Sequence, residues 1–211
     1  MDSHQTAAFT AATRIAADLA LRPEVEEQWT EESACAGMTV GALARHLVSQ
    51  WFNAVRLLRA PAGDAPITVW EHYARAAWVH SALDDEANAG IRRGSEDLAA
   101  EGPEAMRTLI EGLAPDVEAV LAADRAGPVL IPWQGWSLSV EDFLLTRMME
   151  IVVHSDDLAA SIGLETPEFP DAVVTPVLDL LAGLAVRRHG STAVVRTLTR
   201  PQRAPSSVTA F

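Results

Sequence analysis

The sequence predicts an all-α helical bundle, and two observations carry that prediction. Apolar residues recur at three- and four-residue intervals along four long stretches, the pattern of helices that bury one stripe. Pro and Gly cluster between those stretches, and no regular array of short alternating runs suggests a sheet. No internal repeat, heptad array or low-complexity linker interrupts the 211 residues. That length suits one domain with a substantial core. We therefore expect residues 1–211 to form a single domain, with 170–211 as an additional C-terminal helix and extended tail.

The first helix is expected from about Thr6 to Leu21, stopping before Pro23, and a loop containing Trp29 and Cys35 follows. Thr39 is placed to cap a second helix that runs to about Arg59, ahead of Pro61 and Gly63. "TVWE" has capping-box spacing between Thr68 and Glu71 and opens a third helix, continuing to near Ala89 in one or two pieces. A fourth helix lies between Pro103 and Asp124, with Pro115 expected to kink it. "GPVLIPWQGWS" reads as a turn-rich connector, after which Ser139 caps the fifth helix. Pro176 suits the first turn of a sixth helix that ends at His189 and Gly190. The tail from Ser191 begins with β-branched residues and is expected to be extended.

Composition narrows the function. A formal charge of −13 argues against nucleic acid and against anionic membranes, both of which attract basic patches. Every basic residue is Arg, so Schiff-base lysine chemistry and a phosphate-loop lysine are excluded. One cysteine, Cys35, excludes an internal disulfide and a cysteine-cluster metal site. The chain has no apolar run long enough for a membrane span, and its start has acidic and polar residues where a secretory signal has basic and apolar blocks. A cytoplasmic protein is expected.

The most informative stretch is "LLTRMMEIVVHSDDLAASIG", Leu144 to Gly163. Arg147, Glu150, His154 and Asp157 follow one another at spacings of three and four, so a helix places them on one stripe. Thr146 and Ser161 share it, while most of the remaining circumference is apolar. Glu150 and His154 can then converge on one divalent ion, with a third ligand from another helix. His46, His72, His80, His189 and His4 are the candidates, and His46 lies at the edge of a buried face with Gln50 one turn on. The same Glu–His spacing also occurs on exposed helices, where it contributes a few tenths of a kcal/mol. Spacing alone leaves both readings open.

"SACAGMTVGALARHLV", "PWQGWSLSVEDFLLTRMMEIVVHSDDLAASIG" and "VRTLTRPQRAP" together resemble the mycothiol-dependent maleylpyruvate isomerase N-terminal domain family, part of the DinB/YfiT-like metal-binding superfamily. The most specific match is R-x-x-E-x-x-x-H-x-x-D-L, here Arg147, Glu150, His154, Asp157 and Leu158. An upstream T-V-x-x-L-x-x-H-L is matched by Thr39, Val40, Leu43, His46 and Leu47; the family commonly has Trp where Met38 stands. The resemblance implies a DinB-like four-helix bundle with a long crossover. It also implies a divalent metal, usually zinc, held by His46, Glu150 and His154. The isomerase that names the family carries a second domain contributing to its active site, so the resemblance implies the metal-bearing bundle more directly than the isomerisation.

Two chemistries suit such a metal. It can hold a low-molecular-weight thiol such as mycothiol as thiolate, giving an S-transferase or isomerase of small electrophilic molecules. It can instead activate water, giving a hydrolase. A non-catalytic metal-binding or dimerising bundle, with a homodimer as the assembly, is the third reading. Arg147 and Asp157 are candidates to hold a substrate carboxylate and to orient a ligand side chain. Gln50 and Trp133 are candidate pocket walls, together with Trp136. Cys35 is expected to be inert.

Overall fold

The computed structural model describes residues 3–80, 85–123 and 125–211. Among these, helices dominate, and the bundle core is built from α1 (Ser3–Ala20), α3 (Val40–Arg59), α7 (Pro103–Ala122) and α8 (Val140–Ser161). Between α1 and α3 lies the short α2 (Pro23–Glu27), which the expected loop did not include; Pro23 opens it, where a missing N–H costs nothing. α3 packs against α1, α7 and α8, which makes it the central helix. Its start is fixed as expected: Thr39 Oγ1 accepts from the Ala42 N–H at 3.1 Å. It ends where Ala60 turns extended ahead of Pro61.

The long crossover from α3 to α7 contains α4 (Val69–Arg75), α5 (Ala77–His80) and α6 (Glu86–Ala99). Both halves of the Thr68/Glu71 capping box are formed. The third helix, expected to reach Ala89 in one or two pieces, is broken at Ala76, whose backbone is extended. α6 runs ten residues beyond the expected end, and it was masked in the sequence by Gly90, Gly94 and a polar composition. Tertiary bonds hold it against α3. Glu96 accepts from the Thr39 N–H at 2.7 Å and from its hydroxyl at 3.0 Å. The Trp29 indole donates to the Ala99 carbonyl at 3.1 Å.

α7 runs through Pro115 as one helix, and the expected end at Asp124 lies outside the described residues. The connector expected to be irregular is a two-stranded antiparallel hairpin, β1 (Val129–Ile131) and β2 (Trp136–Leu138), with Val129 opposite Leu138. Gly135 takes a positive φ of 79° in its turn. Ile67 donates to the Ser137 carbonyl at 2.9 Å, tying the hairpin to the entry of α4.

Ser139 caps α8 as expected, accepting from the Asp142 N–H at 3.0 Å. α9 (Asp171–His189) starts five residues before Pro176, so that proline stands inside the helix and not in its first turn. The segment after Gly190 is α10 (Ser191–Thr199), not an extended strand: Val194 buries against the body, and packing on α9 overrides the β-branched composition. Only the residues after the turn at Pro201–Arg203 form an extended tail. It returns to the body, where the Phe211 ring lies 4.8 Å from Trp78 and 5.5 Å from Tyr73. One continuous apolar core links α1, α3, α7 and α8, with Phe9, Leu43, Leu47, Phe143, Ile151 and Leu158 wholly buried.

Candidate metal centre

Packing of α3 on α8 brings His46 against the stripe on the facing helix. The His46 and His154 rings meet edge to face, centroids 4.7 Å apart. Glu150 lies between them, its Oε2 3.6 Å from His46 Nε2 and 3.2 Å from His154 Nε2. The three donor atoms all lie within 4.8 Å of one another. Their side chains retain 16–18% exposure, so the cluster sits in a recess that an ion or water reaches.

The surrounding polar groups orient these donors. Asp157 Oδ2 lies 3.0 Å from His154 Nδ1, which fixes the ring and leaves Nε2 facing Glu150. Gln50 Nε2 donates to the His46 carbonyl at 2.9 Å and lies 3.3 Å from His46 Nε2. The other end of that amide accepts from Arg147 Nη1 at 2.7 Å. Arg147 also donates from Nε to Thr146 Oγ1 at 3.3 Å and lies over the Phe143 ring. It makes no ion pair with Glu150 or Asp157, so its charge is held by neutral groups.

Electrostatics follow from this arrangement. Burial works to raise the Glu150 carboxyl, but the bonds from His154 and His46 prevail and hold it well below the usual carboxylate range. Burial works against a charged His154, yet Asp157 and Glu150 outweigh it and lift the imidazole to about 9. Burial lowers His46, and the neighbouring His154 adds to the effect. Without metal, the cluster is therefore a carboxylate, one protonated imidazole and one neutral imidazole. Donors on a tetrahedral zinc at about 2.0–2.1 Å stand roughly 3.3 Å apart. The Glu150 distances of 3.2 and 3.6 Å match that spacing, and the two-nitrogen, one-carboxylate set is a zinc-type set with room for a fourth ligand. The residues fit a divalent ion.

The other candidates fall elsewhere. Trp133 does not wall this recess: it is 52% exposed on the hairpin turn, under the Arg56 guanidinium. Trp136 donates its indole N–H to His72 Nδ1 at 3.1 Å. His72 is buried and outside the triad, and burial together with the Arg147 charge lowers it to about 4. His189 bonds to the Thr209 carbonyl. The side chain of His80 lies outside the described residues. Cys35 is half-buried; burial and the Asp157 charge push its thiol up, which disfavours a nucleophilic thiolate. Sequence reasoning missed the His72–Trp136 bond and the buried Tyr73 beside it. The spacing of 64 residues between bonded partners carries no local signal.

A helical bundle with a two-His, one-carboxylate recess defines the class, a candidate metal-binding bundle. The profile of the mycothiol maleylpyruvate isomerase N-terminal domain family matches residues 9–159, and the chain belongs to that family. No curated protein and no solved structure matches the chain. No helix among the described residues is long and apolar enough to cross a membrane.

Proposed function

We propose that this protein is a divalent-metal-dependent enzyme that uses a small thiol, mycothiol in the family's terms, to transfer sulfur to or isomerise small electrophilic molecules. The observation that carries the reading is the convergence of His46, Glu150 and His154 from two helices, with Asp157 holding His154. These three side chains hold the ion, zinc by donor type. When bound, the ion favours the thiolate form of a thiol near neutral pH. The chain's own residues do the rest. Asp157 and Gln50 keep the two imidazoles oriented, and Arg147, which pairs with no carboxylate among the described residues, offers its guanidinium to a carboxylate on the thiol or the substrate. Cys35 plays no part as nucleophile, so the sulfur comes from the cofactor. A reduced thiol cofactor agrees with a cytoplasmic protein.

The test follows both mycothiol consumption and thiol-dependent isomerisation of a panel of small electrophiles, comparing zinc-loaded wild type with Glu150→Gln. Metal- and thiol-dependent turnover, lost in the variant, supports the reading. Turnover of ester or amide substrates without thiol assigns a hydrolase instead, and no turnover above the uncatalysed rate removes the enzyme reading.

A further inference from the structure

The start of α4 is set beside the start of α8. Ile67 pairs in parallel with Leu138, so the capping residues that follow, Thr68 and Ser139, stand side by side and the two helices leave in the same direction. Four residues on from each cap come His72 and Phe143, at one level. The Arg147 guanidinium reaches back over the Phe143 ring, 5.8 Å from its centroid. His72 is thereby brought to the guanidinium at the edge of the metal recess. After burial, the Arg147 charge is the largest influence on its ring, ahead of Glu150.

Two N–H donors meet there unspent. The Trp136 indole can only donate, so its 3.1 Å bond makes His72 Nδ1 an acceptor and puts the ring proton on Nε2. Burial, then the Arg147 charge, lowers the imidazole to about 4, so at pH 7 the ring is a neutral donor. His72 is 3% exposed, yet its Nε2 has no hydrogen bond among the described residues and is not sealed from solvent. Arg147 spends Nη1 on Gln50 and Nε on Thr146, and its Nη2 is likewise open. Donors held this close to the interior have shed most of their water and gain from an acceptor brought to them.

We propose that His72 is a further binding residue of the recess: its Nε2–H and Arg147 Nη2 together hold one carboxylate of the small molecule that enters there, and Trp136 is the positioning residue that keeps the proton on Nε2. This rests on the role given above to Arg147 and adds a second donor to it. Two donors fix the orientation of a carboxylate that one would leave free to turn, and the guanidinium charge selects it over a neutral group of the same size.

The probe is acetate, with acetamide as the neutral comparison, titrated into zinc-loaded protein and followed by the imidazole nitrogen shifts of His72. Before any ligand is added these shifts report the tautomer, with the proton expected on Nε2. Acetate moves the Nε2 signal saturably, and acetamide binds at least about tenfold more weakly. His72→Asn keeps an oxygen for the Trp136 indole but has no group that reaches as far as Nε2. It weakens acetate about tenfold, with zinc content and the indole N–H signal unchanged. His72→Gln, whose amide nitrogen stands in for Nε2, restores binding to within about threefold of wild type, the reverse of the order a purely structural role gives. Trp136→Phe leaves the ring proton divided between the two nitrogens and weakens acetate. A proton on Nδ1 in wild type, an Nε2 signal that acetate does not move, or undiminished acetate binding in His72→Asn overturns the proposal; the last shows that zinc and Arg147 hold the carboxylate alone. Acetate binding is read without turnover, so a protein that binds acetate through His72 yet transforms no electrophile loses the enzyme reading and keeps this site.

Discussion

Raising the pH should tighten zinc binding with a slope of one proton over an unusually wide range. In the metal-free cluster Asp157 and Glu150 lift His154 to about 9, while burial keeps His46 below its ordinary value and Glu150 is already ionised. One proton, on His154 Nε2, must therefore leave when zinc binds. At pH 7 that nitrogen is about 99% protonated, so apparent affinity rises tenfold per unit and about 100-fold between pH 6.5 and 8.5. Competition against a chelator of known affinity at each pH measures the slope. Calorimetry in buffers of differing ionisation enthalpy counts the proton directly. Two ordinary imidazoles would give a curve that flattens above pH 7, and that flattening would refute the assigned geometry. Asp157→Asn, which removes one of the two anions facing His154, should move the plateau to lower pH.

The same cluster sets a stability term. His154 is raised above its unfolded value near 6.5, so its contribution to the metal-free fold is present below that pH and is lost as pH rises through about 9, up to roughly 3 kcal/mol. His72 acts the other way: lowered to about 4, it favours unfolding as pH falls from 6.5 towards 4, by up to roughly 3 kcal/mol. His72→Phe should remove that acid slope in denaturant titrations, yet cost about 1–3 kcal/mol at pH 7 because the Trp136 indole N–H loses its acceptor. A Cβ at Gly41 would stand 2.5 Å from the Trp29 ring, so Gly41→Ala should destabilise by about 1–3 kcal/mol in thermal melts, with zinc stoichiometry retained.

The parts of this architecture that were legible in the sequence are those with local causes. Thr39, Thr68 and Ser139 announce helix starts because a capping side chain bonds within its own turn. The polar stripe of α8 was visible because four residues at helical spacing are a local pattern, and the family resemblance pointed to His46 across the bundle. What escaped depends on distant contacts. α6 contains two glycines and few large apolar residues, and is held through Glu96 and Trp29 from segments far away in sequence. α10 is β-branched yet helical because α9 supplies its partner. The hairpin replaced an expected loop because three residues per strand are too few to show alternation. Trp133 was a candidate pocket wall beside Trp136, but it lies in the four-residue turn between the strands and is largely exposed there.

Elemental analysis of untagged protein tests the central claim most directly, for wild type, His46→Ala, His154→Ala and the control His72→Phe, which lies outside the triad. The account predicts about one divalent ion per chain in wild type and control, with loss in both single variants, because three donors from two helices act together. An unchanged metal content in either His46→Ala or His154→Ala, or no stoichiometric metal in wild type after zinc supplementation, would contradict it.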